Sequence, residues 1–377
     1  MKWDEVIAQQ EAKNRLKQLA DEGRVPQALL FTGAAGVGKM ALALAFASYL
    51  LGEDNASFTG NRVNAAAMLR NLEHPDLHFS FPTIKTPGMG SDHVPESDDF
   101  AKQWHELLRT GPYFTLEQWM SMMGAANQQA IITVRESDAL LHKLSLKSSQ
   151  GGYKVSIIWL PERMNIACAN KMLKLLEEPP SQTVFLLVSE QPELLLETIR
   201  SRTQRFEVKR IPEQDICREL VSRRAIDEQA ATRVAHIARG SWTAALGTLA
   251  AGNENRTFLD LFKELMRLCY KRDVLQLKRW SDAVSEFGRE KQRRMLAYFM
   301  QMIRESFVYN FHKRELVYMT IEEEGFARNF APFINEHNII GINHLLERAY
   351  RDIGQNANAP MVFFDVALKL IVLLLSK

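Results

Sequence analysis

Short apolar runs alternate with helical patterns over the first part of the chain. The runs Gln27–Thr32, Lys154–Trp159 and Thr183–Val188 are almost continuously apolar, as in strands that are buried on both faces. The helical pattern Asn165–Glu178 lies between two of these runs and stops before a pair of prolines. Strands of this kind alternating with helices predict an α/β domain whose parallel sheet is covered on both faces.

Strand patterns disappear after Phe206, and the remaining sequence is helical with breaks at glycines and prolines. We therefore predict three domains: an α/β domain at residues 1–209, a small helical domain at 210–253 and an all-α domain at 254–377. Residues 83–129 are rich in loop-forming residues and show no clear period, so the sequence indicates no role for them.

Composition narrows the class of protein. The chain has 377 residues, 46% of them hydrophobic, with 47 basic and 45 acidic side chains, which excludes a disordered protein and a uniformly cationic DNA-coating protein. Its 3 scattered cysteines argue against a disulfide framework and favour a reducing compartment. No apolar run reaches the roughly 20 residues of a membrane span, so we expect a cytoplasmic protein without membrane contact.

A glycine-rich loop follows the first apolar run. The sequence GAAGVGK fits the G-x-x-x-x-G-K pattern at Gly33, Gly38 and Lys39, with a further glycine at Gly36. Between a strand and a helix, such a loop directs backbone N–H groups and the lysine toward phosphates. These four residues are the predicted nucleotide-binding residues, although the alternative of an unoccupied glycine turn stays open.

The magnesium positions of such a loop are altered. The residue after the lysine supplies a hydroxyl to Mg²⁺ in hydrolysing proteins, but here it is Met40, whose thioether is a poor ligand for a hard cation. The acidic residue that should end the strand Lys154–Trp159 is also missing, because Trp159 and Leu160 stand there. Glu162 is a substitute acid or, on the reading we favour, an ordinary surface glutamate. We expect a loop that is poorly equipped for hydrolysis and no bound metal.

Arginines cluster at the end of the helical pattern that follows the last apolar strand. Arg200, Arg202 and Arg205 could pair with acids near the helix end. Alternatively, one of them could enter a neighbouring subunit's nucleotide site and stabilise charge on the γ-phosphate. The residues alone favour the first interpretation.

These motifs together resemble the clamp-loader branch of the AAA+ ATPases, and in particular the delta-prime type of bacterial DNA polymerase III. The resemblance rests on the P-loop and on four further segments: Trp3–Gln10, His74–Asp76, NKMLKLLEEPPS at Asn170–Ser181, and Ser201–Thr203. It covers about residues 3–250 and implies a P-loop AAA+ domain with a helical lid and a C-terminal helical collar. It also implies a place in DNA replication, in a ring that opens a sliding clamp and loads it on primed DNA.

The resemblance changes the interpretation of the arginines. It implies that Arg202 is an arginine finger, offered to the ATP site of an adjacent motor subunit of the gamma/tau type, with a delta-type subunit also in the ring. The family's S-R-C cysteine is Thr203 here, and Thr243 replaces the lid arginine of motor subunits. The member is then non-hydrolysing and needs no nucleotide, although ATP or ADP at the altered P-loop stays open.

The resemblance also bears on zinc binding. Many relatives hold zinc with four cysteines after the P-loop helix, but residues 52–69 contain no cysteine, so we expect no zinc.

The alternative functions are an active AAA+ ATPase, either a motor subunit or a helicase loader, and a P-loop kinase. The residues at the magnesium positions argue against both, since each needs a bound cation.

Overall fold

The computed structural model describes residues 1–53, 62–86, 88–90, 92–124, 128–149, 152–250, 252–312 and 316–375. The chain divides into two compact units, Met1–Leu246 and Gly247–Lys377. The division falls inside the helix Trp242–Ala250. The predicted boundaries at residues 209 and 253 are not tested by this division and stay predictions.

The described part of the first unit contains one five-stranded sheet, in which every pair of neighbouring strands is parallel. Its strand order is β2-β3-β4-β1-β5. The strands are β1 (Ala28–Thr32), β2 (Leu77–Ser80), β3 (Lys154–Trp159), β4 (Thr183–Val188) and β5 (Gln204–Glu207). The three apolar runs of the sequence are the three central strands, as near-continuous hydrophobicity predicts.

Of the described helices of this unit, one precedes β1, seven lie in the connections between strands, and three follow β5, where they form a hydrophobic cluster of their own. In chain order, the helices are α1 (Gln10–Asp21), α2 (Lys39–Leu50), α3 (Arg62–Asn71), α4 (Ala101–Thr110), α5 (Leu116–Met122), α6 (Val134–Ser145), α7 (Ile166–Glu177), α8 (Glu197–Arg200), α9 (Glu213–Arg224), α10 (Glu228–Ile237) and α11 (Trp242–Ala250). Short 3-10 turns lie at Trp3–Glu5, Ser97–Phe100, Pro161–Arg163 and Pro192–Leu194.

Both faces of the sheet are buried. Leu29 and Phe31 of β1 belong to one core with helix α2, whereas Ala28 and Leu30 belong to a second core with helix α7. This alternation follows from the pleat of a strand, which sends successive side chains to opposite faces. Helix α2 is buried along its whole length. The predicted α/β fold, with a parallel sheet covered on both faces and a P-loop between its first strand and the following helix, is confirmed.

Two local details of the first unit are not visible in the sequence pattern. Helix α1 begins at Gln10, because Gln9 has a left-handed backbone with φ 59° and separates it from the first 3-10 turn. Residues 83–129, which showed no period, contain helices α4 and α5. The side chains of Trp104 and Trp119 on these helices are 1% and 0% exposed and join the core on the α2 face.

The second unit is helical wherever it is described. Its helices are α12 (Gly252–Lys271), α13 (Val274–Ser285), α14 (Arg289–Tyr309), α15 (Ile321–Phe330), α16 (Ile339–Gly354) and α17 (Ala359–Leu375), with a 3-10 turn at Ala331–Phe333. They share one hydrophobic core rich in aromatic rings, including Phe258, Phe262, Phe299 and Phe363. This agrees with the predicted all-α C-terminal part. Among the described residues, no helix is both long enough and apolar enough to cross a membrane.

Candidate functional site

The glycine-rich loop lies between β1 and α2, at the carboxyl edge of the sheet. Gly33, Gly36 and Gly38 have φ angles of 143°, 74° and 98°, which side-chain-bearing residues rarely adopt. Gly38 is the N-cap of α2, so the helix begins at Lys39. The structure therefore brings the four predicted nucleotide-binding residues together in one strand–loop–helix unit, the arrangement that suits an anion.

The lysine of this loop is bonded to the loop itself. Lys39 Nζ donates to the carbonyl oxygens of Gly33 (2.7 Å) and Ala34 (2.6 Å), and the residue is only 5% exposed. Burial lowers the pKa of Lys39, and the charges of Glu190 and Glu162 partly offset this effect. The ammonium group thus binds backbone carbonyl oxygens of the loop. A bound phosphate would have to compete with these oxygens for it.

The segment around Trp242 packs against the same loop. The Trp242 backbone N–H donates to the Gly36 carbonyl at 2.9 Å. A Cβ atom added at Gly36 would lie 2.1 Å from Thr243 Oγ1 and 2.3 Å from Ser241 Oγ, so only glycine fits there. The Thr243 hydroxyl therefore lies against the middle of the loop.

Tyr113 covers the last glycine of the loop. A Cβ atom added at Gly38 would lie 3.1 Å from Tyr113 Oη, and this hydroxyl accepts a hydrogen bond from the Ile7 backbone N–H at 2.8 Å. The tyrosine ring also meets Trp242 edge-on, with ring centroids 6.4 Å apart. Burial raises the pKa of Tyr113. Sequence reasoning missed this residue, because it lies in the stretch without a period and far along the chain from the loop.

The two magnesium positions are apolar and buried. Met40 is 5% exposed and belongs to the core on the α2 face. Trp159, at the end of β3, is 3% exposed and lies 5.4 Å from Trp104 and 5.0 Å from Phe114, measured between ring centroids. Leu160 follows it at 2% exposure. The positions that hold the cation in hydrolysing relatives here contribute to packing.

Glu162 connects the ends of two neighbouring strands. Its carboxylate accepts hydrogen bonds from Ser189 Oγ (2.9 Å) and from the backbone N–H groups of Glu190 (2.9 Å) and Gln191 (3.0 Å). Glu162 therefore orders the loop after β4. Glu190, which the sequence analysis did not single out, faces Lys39: desolvation raises the pKa of its carboxyl, and the lysine charge opposes the rise.

Arg202 lies at the other edge of the sheet, between α8 and the amino end of β5. Its guanidinium donates to the Thr198 carbonyl (2.9 Å) and pairs with Glu177 (2.5 Å), and its side chain is 37% exposed. Arg205 differs, since its Nε donates to Thr32 Oγ1 at 3.2 Å within the sheet. The Arg200 side chain has no hydrogen bond or ion pair to any described residue. The structure thus keeps Arg202 away from the chain's own P-loop.

The zinc prediction concerns residues 52–69, of which 54–61 lie outside the described residues, so it stays a prediction. In the described part of the chain, no group of three or more His, Cys, Asp and Glu side chains could hold a metal ion. Burial lowers the pKa of His78 to about 4, with smaller contributions from nearby charges. His74 is buried, and its Nδ1 accepts from the Asp76 backbone N–H at 3.2 Å.

The chain resembles known proteins over part of its length. The family described as "DNA polymerase III, delta subunit" matches residues 8–212. The delta-prime subunit of DNA polymerase III from Pseudomonas aeruginosa is 30% identical over 186 residues, which cover 49% of this chain and 44% of that protein. The delta-prime subunit from Haemophilus influenzae is 25% identical over 252 residues, covering 66% and 63%. The tau subunit from Bacillus subtilis is 37% identical over 92 residues, covering 24% and 16%.

The family match lies within the unit that contains the sheet and the P-loop. The match to the Pseudomonas protein covers less than half of that relative's length. The family match covers more than half of this chain, from the start of the first unit to beyond β5. The chain therefore belongs to the DNA polymerase III delta subunit family, and its relatives from Pseudomonas and Haemophilus are delta-prime subunits.

Proposed function

We propose that this chain is a non-hydrolysing subunit of a bacterial clamp loader that supplies Arg202 to the ATP site of a neighbouring motor subunit. Its partners in the ring are motor subunits of the gamma/tau type and a delta-type subunit. Through the complex, it helps to open a sliding clamp and load it on primed DNA. The tau subunit among the similar proteins supports a place in such an assembly.

The observation that carries the proposal is the burial of both magnesium positions. Met40 replaces the hydroxyl residue, Trp159 and Leu160 replace the acidic pair, and all three side chains are at most 5% exposed. Hydrolysis of a nucleoside triphosphate depends on Mg²⁺ bridging the phosphates, and the metal contributes several kcal/mol of charge stabilisation. With apolar side chains at these positions, this P-loop lacks the ligands that hydrolysis needs.

The state of Lys39 supports a structural role for the loop. ATP or ADP would have to draw the ammonium group away from the carbonyl oxygens of Gly33 and Ala34 before the lysine could bind phosphate. Contacts with Thr243 and Tyr113 also restrict the conformation of the loop. We propose that function requires neither nucleotide nor zinc, and that the chain works in the cytoplasm, where cysteines remain reduced.

The position of Arg202 supports the arginine-finger role. A finger that acts on a neighbour must be exposed and must not be used by its own subunit's nucleotide site. Arg202 meets both conditions, since it is partly exposed and lies at the sheet edge opposite the P-loop. Arg205 is held within the sheet by Thr32 and does not meet them.

Phosphate release by the purified chain tests the first half of the proposal. We expect no release above background with ATP and Mg²⁺, with or without primed DNA. The matched control is Lys39→Ala, which removes the residue that a hydrolytic P-loop needs. Release by the parent chain that Lys39→Ala abolishes would show an active ATPase, the alternative function, and would reject the non-hydrolysing role.

Arg202→Ala tests the second half in an assembly reconstituted with motor subunits. We expect turnover at the contacted motor site to fall by roughly 10²-fold or more, within the range of arginine fingers. Arg200→Ala serves as the control, because it removes an arginine two positions away that has no partner among the described residues. Unchanged turnover in the Arg202 variant, with the ring intact on gel filtration, would reject the finger.

A further inference from the structure

The segment Asn170–Ser181 contributed to the resemblance, but its sequence indicated no chemistry of its own. Most of its apolar residues belong to α7 and face the core beneath the sheet, where Met172, Leu175 and Leu176 are each at most 5% exposed. Glu177 is the last residue of this helix, and Pro179 and Pro180 prevent its continuation. The helix end thus presents a carboxylate at the amino edge of the sheet.

This carboxylate meets the proposed finger. Glu177 Oε1 lies 2.5 Å from Arg202 Nη2, although the two residues are distant in sequence. The other terminal nitrogen of Arg202, Nη1, donates to the Thr198 carbonyl at 2.9 Å. Two elements, the end of α7 and the start of α8, therefore fix the plane of one guanidinium. Its other N–H groups have no partner among the described residues, and the side chain remains 37% exposed.

The adjacent residues do not share this arrangement. The side chains of Glu178 and Arg200 form no hydrogen bond or ion pair with any described residue. The pairing is therefore a property of Glu177 and Arg202 rather than of the charged surface around them. An exposed ion pair of this kind adds little to the stability of the fold, so stability does not account for it.

We infer that Glu177 is a positioning residue for Arg202, an inference that rests on the proposed arginine finger. An unrestrained arginine has many rotamers, and it would lose this freedom on entering a neighbour's ATP site. Glu177 and the Thr198 carbonyl restrict the guanidinium beforehand and leave its remaining N–H groups available to a phosphate. Preorganised charges of this kind raise catalytic rate because they need no rearrangement during the reaction.

The test is Glu177→Gln in the reconstituted assembly, with the ATP dependence of turnover as the readout. Glutamine keeps the shape of the side chain and removes its charge. We expect kcat at the contacted motor site to fall by roughly 2- to 5-fold, the size of effect typical of an exposed ion pair. The KM for ATP should stay unchanged, because the nucleotide is bound by the motor subunit. Glu178→Gln, the matched control, should behave as the parent.

A double variant decides whether Glu177 acts through Arg202. We expect Glu177→Gln to have no further effect in the Arg202→Ala background, since neighbouring residues that act as one unit are not additive. An equal loss in both backgrounds would show that Glu177 acts independently and would overturn the inference. So would a parent-like or raised kcat in Glu177→Gln, or a loss of ring assembly in this variant.

These experiments also distinguish a failure of the positioning role of Glu177 from a failure of the proposed arginine finger. If Arg202→Ala leaves turnover unchanged, the finger and its positioning residue are both rejected. If Arg202→Ala lowers turnover while Glu177→Gln matches Glu178→Gln, only the positioning role is rejected. Loss of folding is not a concern at a side chain that is 46% exposed, and circular dichroism of each variant checks this.

Discussion

The charged residues at the two edges of the sheet differ in burial and in the contacts that they make. At the carboxyl edge, Lys39 is buried and bonded to its own loop, and Met40 and Trp159 are packed in the core. At the amino edge, Arg202 is exposed and is held by Glu177 and a single carbonyl. The first edge retains the P-loop backbone with apolar side chains at the magnesium positions, and the second presents a partly exposed guanidinium.

On the proposed function, the residues at the carboxyl edge support the fold and Arg202 acts on a neighbouring subunit. A P-loop in a sequence suggests that the nucleotide site is the functional centre, yet here its conformation is fixed by contacts within the chain. Substitutions at the carboxyl edge should therefore cost stability and leave the assembly's chemistry alone once the protein folds. Substitutions at the amino edge should do the reverse. Four measurements can sharpen or break this comparison.

The largest effect on stability is expected from Trp159→Ala. Removing this ring leaves a cavity among Trp104, Phe114 and the α2 face, and such truncations cost about 3–5 kcal/mol. Urea unfolding of the isolated chain measures the loss. Leu194→Ala is the control, because that side chain is 64% exposed and its loss should change little. A free-energy cost no larger than that of Leu194→Ala would show that the Trp159 side chain does not contribute to the core.

Gly36→Ala should cost about 2–4 kcal/mol, from backbone strain at positive φ together with overlap with the Thr243 hydroxyl. Gly23→Ala isolates the backbone contribution, because Gly23 has φ 64° and a Cβ there would meet nothing within 4 Å. Its cost should be about 1–2 kcal/mol. Equal losses of unfolding free energy in Gly36→Ala and Gly23→Ala would mean that the segment around Trp242 does not pack tightly against the loop.

The sequence predicted the sheet and the loop because their signals are local. Continuous apolar runs define the central strands, and glycines at fixed spacing define the P-loop. The absent metal ligands could also be read directly, since Met40 and Trp159 occupy positions that the motif fixes. These features need no knowledge of which distant residues meet.

Contacts between distant segments could not be predicted in this way. Tyr113 reaches Gly38 and Ile7 from a stretch whose period is hidden, because its short helices bury tryptophans at irregular spacing. The pairing of Glu177 with Arg202 joins a helix end to a turn beyond the next strand, and nothing in either segment alone indicates the other. Sequence reasoning placed Arg202 through a family motif, but its partner required the fold.

A smaller effect is expected from the pH dependence of stability in Lys39→Met. Burial lowers the pKa of Lys39 from its ordinary value of 10.5. The folded chain therefore releases the ammonium proton at a pH below 10.5, where the unfolded chain still holds it. The unfolded state then binds more protons, and the stability contribution of Lys39 rises with pH over the interval below 10.5. Urea unfolding from pH 7 to 10 should show a flatter profile in the variant. Parallel profiles would place the ammonium group in solvent.

The smallest stability effect should come from the residue with the largest proposed effect on turnover. Arg202→Ala removes an exposed ion pair, which is worth about 0.2–1 kcal/mol, so its urea midpoint should lie close to that of Arg200→Ala. Arg205→Ala should cost more, because it also leaves Thr32 without its donor inside the sheet. If Arg202→Ala proved as destabilising as Arg205→Ala, lost turnover could be explained by misfolding. A near-neutral result is the outcome that action on a neighbouring subunit predicts.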